Sequence, residues 1–364
     1  MKWHMHWIAA AAAVALMTAC GGGGSGPEFT SVKVAGDSLA DSGTFGAKFT
    51  VQGSAPMGAN SSAIWPEIIA AKYETTLCPH YMGMGFESNP YCGNYAIAGG
   101  RINNFADPLS PVSILTQLSD MGADGFSERD LVLIDGGGND AADLIGAFLK
   151  LQQDQGAALQ ALLGTYLDPA SIQALLANGA QGAALAGGLY MKALATHFAQ
   201  AIDEHVVDRG AERVVVLNMP DVTLTPKLGF ILGQLDEATA AQLRGIFGSW
   251  VQAFNATLAE AFKDDENVTV ADFAATLNDQ VTNPAKYGLT NVSTPACPVT
   301  GADASGPTYD LPTCTAAGLS ATTPPDGATG GADWWKTYIF SDNFHPTPYG
   351  HELLADLVAK ALDR

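Results

Sequence analysis

The chain alternates short apolar runs with longer segments in which apolar residues recur every three or four positions. The short runs predict β-strands at 31–35, 130–135, 213–217 and 268–272. The longer segments predict helices at 61–73, 111–121, 141–207, 236–262 and 349–362, and 283–333 is predicted to be mostly loop. Strands that alternate with helices are typical of an α/β fold, in which helices cover both faces of a parallel sheet.

Composition and charge narrow the class of protein. With 364 residues, of which 47% are hydrophobic, the chain is long enough to build one large α/β domain, or at most two domains. The formal net charge is −20 and the sequence pI is about 4.4. So acidic a protein is poorly suited to bind nucleic acid or anionic headgroups through its overall charge. We therefore expect no nucleic-acid partner and a substrate that is neutral, zwitterionic or apolar.

The first twenty residues have the features of an export signal. Lys2 precedes an apolar run at 8–17 that is too short to span a bilayer, and small residues lead to Cys20. Because this arrangement resembles the lipobox of bacterial lipoproteins, we expect a signal peptide at 1–19, lipidation of Cys20 and a Gly-rich tether at 20–30. The alternative is an ordinary secretory leader in which Cys20 is incidental. The expected location is the periplasm, the outer membrane or the cell surface, and the protein would contact the membrane only through this lipid. If Cys20 is not lipidated, the protein is expected to be secreted.

Four further cysteines suit an oxidising compartment. They are Cys78, Cys92, Cys297 and Cys314, an even number that allows three disulfide pairings. The pairings Cys78–Cys92 and Cys297–Cys314 are favoured because each closes a short loop rich in Gly, Pro and Asn. Their spacing is not typical of a zinc site, and we expect no metal.

One serine and one histidine stand at positions suited to nucleophilic catalysis. Ser38 follows the first predicted strand, at the edge where open α/β sheets bind ligands. A serine hydroxyl needs a base, and His345 is the candidate because Asp342, three residues earlier, can hold its tautomer. The alternatives are that Ser38 only caps a helix and that His345 is a solvated loop residue. His351 has no acid three residues before it and is predicted to be structural.

Two segments offer hydrogen-bond donors for an oxyanion. Gly99 lies in Asn94-Tyr95-Ala96-Ile97-Ala98-Gly99-Gly100, where a backbone N–H with little steric cover can face a substrate. Asn139 follows three glycines after a buried strand, and its side-chain amide can donate a second bond. A plain turn is the alternative for Asn139, and Asp140 is expected to serve the loop. The chain has no G-x-S-x-G, no G-x-G-x-x-G after the first strand and no P-loop, so no nucleotide cofactor is indicated.

Taken together, these segments resemble the four blocks of a GDSL-type member of the SGNH hydrolase superfamily. The serine block matches at Gly36 to Gly43, the glycine block as N-x-A-x-x-G, the asparagine block as G-x-N-D, and the histidine block as D-x-x-H-P-T. They occur in the superfamily's order, and the resemblance extends from about Val32 to the C-terminus. In pattern the chain is most similar to the bacterial phospholipase/lecithinase/hemolysin-like lipolytic enzymes.

This resemblance implies a single hydrolase domain at 31–364 with a flavodoxin-like three-layer sandwich, a central parallel sheet and a helical insert at 141–207. It implies that Ser38, Asp342 and His345 form a catalytic triad without a cofactor. The N–H groups of Ser38 and Gly99 and the amide of Asn139 would form the oxyanion hole. The implied reaction is hydrolysis of lipid or short- to medium-chain acyl esters through an acyl-enzyme.

Several alternatives stay open at the level of the sequence. Relatives of this kind also transfer acyl groups or remove acetyl groups from carbohydrates, and Trp334 and Trp335 could stack on sugar rings, although packed positions are favoured for them. A remote alternative is a non-catalytic envelope binding protein. Arg101, where similar enzymes often have a small residue, is expected to narrow or charge the mouth of the acyl pocket. The insert at 141–207 is either a lid for an acyl chain or a scaffold that packs on the sheet.

Overall fold

A computed structural model describes residues 28–53, 62–303 and 306–363. The predicted signal peptide and Cys20 lie outside the described residues, as does most of the predicted tether. In the part that is described, no helix is both long and apolar enough to cross a membrane.

The strands and helices follow one another in a mostly alternating order. The strands are β1 Ser31–Ala35, β2 Tyr81–Met82, β3 Glu87–Ser88, β4 Asp130–Ile134, β5 Val214–Leu217, β6 Val268–Ala271, β7 Val299–Asp303 and β8 Gly306–Tyr309. The α-helices are α1 Trp65–Lys72, α2 Ile114–Ala123, α3 Gly138–Leu149, α4 Ala157–Leu163, α5 Pro169–Leu176, α6 Gly179–Ile202, α7 Pro226–Leu232, α8 Glu237–Ala261, α9 Phe273–Thr282, α10 Ala316–Ala321 and α11 Pro348–Leu362.

The four predicted strands form one parallel sheet in the order β1-β4-β5-β6. The strand β4 is buried along its whole length, as expected for a strand covered on both faces. Residues of α2, α3, α6 and α8 pack on one face of the sheet. Those of α1, α9 and α11 pack on the other. The predicted three-layer α/β sandwich is therefore confirmed.

The segment 141–207 is helical, as the apolar spacing predicts. It comprises most of α3, then α4, α5 and α6, and it ends in a π-helical turn, Asp203–Val207. The helix α6 packs along α8, and at their crossing Trp250 lies against Gly187 and donates a hydrogen bond to the Ala184 carbonyl at 2.8 Å. The buried side chains of 141–207 belong to the core on one face of the sheet, so this insert is part of the scaffold.

The prediction of mostly loop at 283–333 is only partly right. An antiparallel hairpin of β7 and β8 and the short helix α10 lie within it. The preceding helix α9 is also absent from the prediction, because its ten residues bury only Phe273, Leu277 and Gln280. Thr, Asn and Asp occupy much of the rest, and these residues are common in loops and turns.

A third, smaller core is built around the C-terminal cysteine pair. Cys297 and Cys314 are joined by a disulfide and pack with Trp334 and Trp335. The indole N–H groups of the two tryptophans donate to Leu319 and Ser320. Both rings are buried, so they are anchors of this core and present no face to a sugar. The other disulfide joins Cys78 to Cys92, so both bridges are the local ones.

Two adjacent glycines of α6 should respond in opposite ways to the same substitution. In Gly187→Ala the new Cβ would lie 2.5 Å from the Trp250 ring, whereas in Gly188→Ala it would lie 3.8 Å away. We expect Gly187→Ala to lower the free energy of unfolding by about 1–3 kcal/mol through overpacking. Gly188→Ala should raise it by about 0.5–1 kcal/mol because alanine favours the helix. Urea denaturation of both variants checks this, and equal effects would contradict the described packing of α6 on α8.

Candidate active site

The predicted site residues meet at the carboxyl edge of the parallel sheet. Ser38 comes three residues after the end of β1, and Asn139 lies in the first turn of α3, just beyond β4. His345 lies in the loop before α11. Carboxyl ends of neighbouring parallel strands share one edge, so the topology alone brings the first two together.

Ser38, His345 and Asp342 form a continuous hydrogen-bonded chain. The Ser38 hydroxyl Oγ lies 2.8 Å from His345 Nε2. On the other side of the ring, His345 Nδ1 lies 2.9 Å from Asp342 Oδ2 and 3.0 Å from Oδ1. Asp342 also accepts the backbone N–H groups of Phe344 at 2.8 Å and His345 at 2.7 Å. The acid therefore fixes both the ring and the loop that bears it.

Electrostatics within this chain favour a charged Asp342 and a basic His345. Burial alone would raise the pKa of Asp342, but the adjacent His345 charge and the hydrogen bonds that the carboxylate accepts hold it below its usual range. Burial alone would lower the pKa of His345, yet the Asp342 carboxylate and, more weakly, Asp37 raise it above its usual 6.5. The imidazole is thus a stronger base than a free histidine.

Three further hydrogen-bond donors belong to Ser38, Gly99 and Asn139. The backbone N–H groups of Ser38 and Gly99 donate to no other described residue. Gly99 has a φ of 79°, which a residue with a side chain rarely adopts. The Asn139 side chain donates to the Gly100 carbonyl at 3.0 Å and to Asp37 Oδ2 at 3.3 Å. The amide thus lies beside the residue that precedes the serine.

The turn that contains Gly99 is held in place by Asp140 and Asp143 of α3. The buried Asp140 accepts the N–H groups of Ile102 at 3.0 Å and Asn103 at 2.8 Å. Arg101 donates to the Gly99 carbonyl at 2.6 Å and pairs with Asp143 at 2.6 Å. Arg101 is therefore engaged beside the turn and does not line the pocket next to Ser38, so it does not narrow that pocket as one half of the expectation had it. Its charge does reach the pocket lining, because burial raises the pKa of Asp37 and the charge of Arg101 acts against this rise. Asp140 stabilises a loop, as expected, but the loop is the one that follows Gly99 and not its own.

A largely apolar pocket opens beside Ser38 and His345. Its walls include Leu39, Leu217, Pro220, Val222, Phe273, Leu277, Ile339, Phe340 and Phe344. Polar groups enter it from Asp135, Asn218 and Gln280. None of its lining residues comes from 141–207, so the insert is not a wall of this pocket. A group bound covalently to Ser38 would have an apolar space next to it.

The comparison with known families agrees with this geometry. Residues 32–358 match the family model described as GDSL-like lipase/acylhydrolase. The chain belongs to this family. No curated protein matches the chain at a significant level. As a GDSL-like lipase/acylhydrolase, the protein is a hydrolase with an α/β fold, and its two disulfides indicate an oxidising, extracytoplasmic environment.

Sequence reasoning missed a pair of acids in this GDSL-like site. The backbone N–H of Asp37 donates to Asp135 Oδ1 at 3.0 Å, while Asp135 Oδ2 is buried without a hydrogen-bond partner. Burial and the neighbouring Asp37 raise the pKa of Asp135 well above its usual range, which favours a neutral acid. An added Cβ on Gly36 would lie 1.6 Å from Asp135 Oδ1, so only glycine fits there. An acid at the end of an otherwise apolar strand was the available signal.

The remaining candidates take structural roles in the GDSL-like fold. His351 is fully buried in α11, and its Nδ1 accepts the Trp65 N–H at 3.4 Å. Burial lowers the pKa of His351 to about 3, so the ring is neutral at ordinary pH. Within the described ranges, no group of three or more His, Cys, Asp or Glu side chains is placed to hold a metal ion.

Two histidines should titrate very differently. We expect NMR titration to give His345 an apparent pKa above 6.5, because Asp342 stabilises its charged form, and His351 a value near 3. In Asp342→Asn the His345 value should fall, since the largest favourable charge is removed, while that of His351 should not follow it. A His345 value below 6.5 in the unaltered protein would contradict the described geometry.

Proposed function

We propose that the protein is a serine hydrolase that cleaves carboxylic esters through an acyl-enzyme, with Ser38, His345 and Asp342 as its catalytic triad. The observation that carries this proposal is the unbroken chain from Asp342 to His345 to Ser38 Oγ, with its last step at 2.8 Å. Nucleophile and base lie within hydrogen-bond reach, and a third group orients the base, which is the arrangement that activates a serine.

In the first half of the reaction, Ser38 Oγ attacks the ester carbonyl carbon as His345 Nε2 takes the hydroxyl proton. Asp342 holds Nδ1 protonated and stabilises the imidazolium. The new C–O bond forms as the carbonyl π electrons move to oxygen. When this tetrahedral intermediate collapses, His345 gives its proton to the leaving alcohol and Ser38 keeps the acyl group.

We assign the oxyanion to the N–H groups of Ser38 and Gly99 and the Asn139 amide. Both N–H groups are unused within the described structure, and Asn139 lies within hydrogen-bond distance of Gly100 and Asp37. The bond from Asn139 to Asp37 is the longer, at 3.3 Å, and is the one we expect to be exchanged for the oxyanion. Each such donor is worth about 3–4 kcal/mol of transition-state stabilisation.

In the second half, water replaces the alcohol. His345 removes a proton from the water molecule while the water oxygen attacks the acyl carbon. His345 then gives this proton to Ser38 Oγ as the bond from Ser38 to the acyl group breaks and the carboxylic acid product is released. These steps use side chains, backbone N–H groups and water.

The apolar pocket beside Ser38 supports an ester with an apolar acyl part. Its walls are leucine, isoleucine, valine, proline and phenylalanine side chains, which favour hydrocarbon over charged groups. We further propose that the enzyme is exported and anchored through a lipid on Cys20, a prediction from the lipobox-like segment that incorporation of labelled fatty acid at Cys20 would test.

The proposal predicts a selective loss of activity in one serine variant. Ser38→Ala should lower kcat/KM on nitrophenyl esters by about 10⁴-fold or more, because the nucleophile is lost. Ser249→Ala is the matched control, since that serine is exposed on α8 and donates only to the Ile246 carbonyl. A chain-length series of esters is measured for the unaltered protein and both variants. Equal activity of Ser38→Ala and Ser249→Ala would refute the assignment of Ser38.

A further inference from the structure

The pocket beside Ser38 extends along one face of α9. Phe273, Leu277 and Gln280 all line it, and their spacing of four and three residues places them on the same side of the helix. The helix begins two residues after β6 ends, at the carboxyl edge of the sheet that also carries Ser38. Seven residues separate Phe273 from Gln280, which is about 10 Å along the helix. Gln280 therefore lies at the part of the pocket farthest along α9 from this edge.

Gln280 is an unusual residue for such a position. It is only 3% exposed, and its side-chain amide makes no hydrogen bond to any described residue. Asn218 lines the same pocket, but its amide donates to Asp272 at 2.8 Å and accepts from the Ala274 N–H at 2.8 Å. A polar group that is covered by a ligand without gaining a hydrogen bond from it loses free energy. Gln280 thus offers both a donor and an acceptor to whatever occupies the pocket.

A second polar group without a partner faces the same space. Asp135 lines the pocket, and its Oδ2 has no hydrogen-bond partner within the described structure. Its position beside Asp37 places it close to the nucleophile, whereas Gln280 lies farther along α9. The same pocket is also lined by Leu217, Ile339 and Phe340. An entirely apolar ligand that filled it would leave both polar groups unpaired.

We propose that this pocket receives the acyl part of the ester and that Gln280 makes it selective for acyl chains that carry a hydroxyl group remote from the ester carbonyl. The inference rests on the proposed esterase function and specifies its substrate class. A hydroxyl group can donate to the Gln280 carbonyl oxygen or accept from its amide nitrogen. A plain alkyl chain of the same length places a methyl group against the amide and satisfies neither atom. Sites built to hydrogen-bond a substrate hydroxyl discriminate against the analogue that lacks it.

The test uses two matched series of nitrophenyl esters that differ only at the end of the acyl chain. One series has unbranched alkanoyl groups, and the other carries a terminal hydroxyl at each length. For the unaltered protein, kcat/KM should be on the order of 10-fold higher for the hydroxylated ester once the chain reaches Gln280, and the two should be similar for shorter chains.

Two variants of Gln280 remove the hydrogen-bonding groups while they keep an apolar side chain of similar size. In Gln280→Met and Gln280→Leu the ratio of the two rates should fall to about 1 at every chain length, mainly because the alkanoyl ester improves. Asn278→Leu is the control, since Asn278 is exposed on the same helix and does not line the pocket, and it should keep the ratio of the unaltered protein.

The outcomes separate the two proposals. Turnover of the acetate ester without a hydroxyl preference at any chain length overturns the inference but not the esterase function. A preference that persists in both Gln280 variants also overturns it. If the unaltered, folded protein hydrolyses no ester, including acetate, the proposed function fails and the inference fails with it. A length-dependent preference that is lost in either Gln280 variant and kept in Asn278→Leu supports the inference.

Discussion

The contact between Ser38 Oγ and His345 Nε2 is the interaction on which the rest of the site depends. It joins residues 307 positions apart at 2.8 Å, so it depends on the tertiary packing that brings the two ends of the domain together. One side is fixed by strand β1 and the other by the loop before α11. In that loop the Ser341 N–H donates to the His345 carbonyl at 2.7 Å, and Asp342 accepts two backbone N–H groups. The base is thus held by its own backbone as well as by its acid.

The C-terminal disulfide supports this loop indirectly. The backbone N–H of Cys297 donates to the Ser341 carbonyl at 2.8 Å, and that of Ala296 donates to Phe340 at 2.9 Å. The bridge from Cys297 to Cys314 and the tryptophan core around it therefore lie directly against the segment that carries Asp342 and His345. Two backbone hydrogen bonds thus connect this disulfide to the segment that carries Asp342 and His345.

The sequence predicted best those features that depend on residues close together in the chain. The strands β1, β4, β5 and β6 are short apolar runs, and Asp342 lies close enough to His345 in sequence to be recognised as its partner. The order of the four blocks also assigned Ser38, Gly99 and Asn139 to one site. In the structure Ser38 and Asn139 line the same pocket, and Asn139 donates to the carbonyl of Gly100, the residue after Gly99. The absence of an acid three residues before His351 likewise predicted a structural role, and in the structure the ring is buried in α11.

The features that escaped prediction arise from contacts between distant segments. In the sequence Asp135 is only a polar residue at the end of an apolar strand. The pairing of β1 with β4 brings its carboxyl group within hydrogen-bond distance of the Asp37 N–H. Gln280 lies in a short helix rich in loop-forming residues, and its burial depends on α9 packing against the sheet. Arg101 looked like a residue of the pocket mouth, but its guanidinium is engaged by Asp143 and the Gly99 carbonyl. Local pattern cannot specify such contacts, because they are set by tertiary packing.

The most direct test of the central claim is covalent trapping of the nucleophile. The folded protein is treated with an alkyl fluorophosphonate, its intact mass is measured and the modified peptide is sequenced. If His345 activates Ser38 as described, one phosphonyl group should be found per chain, attached to Ser38, and the Asp342→Asn protein should react far more slowly. Absence of labelling in folded protein, or modification of a different residue, would contradict the account.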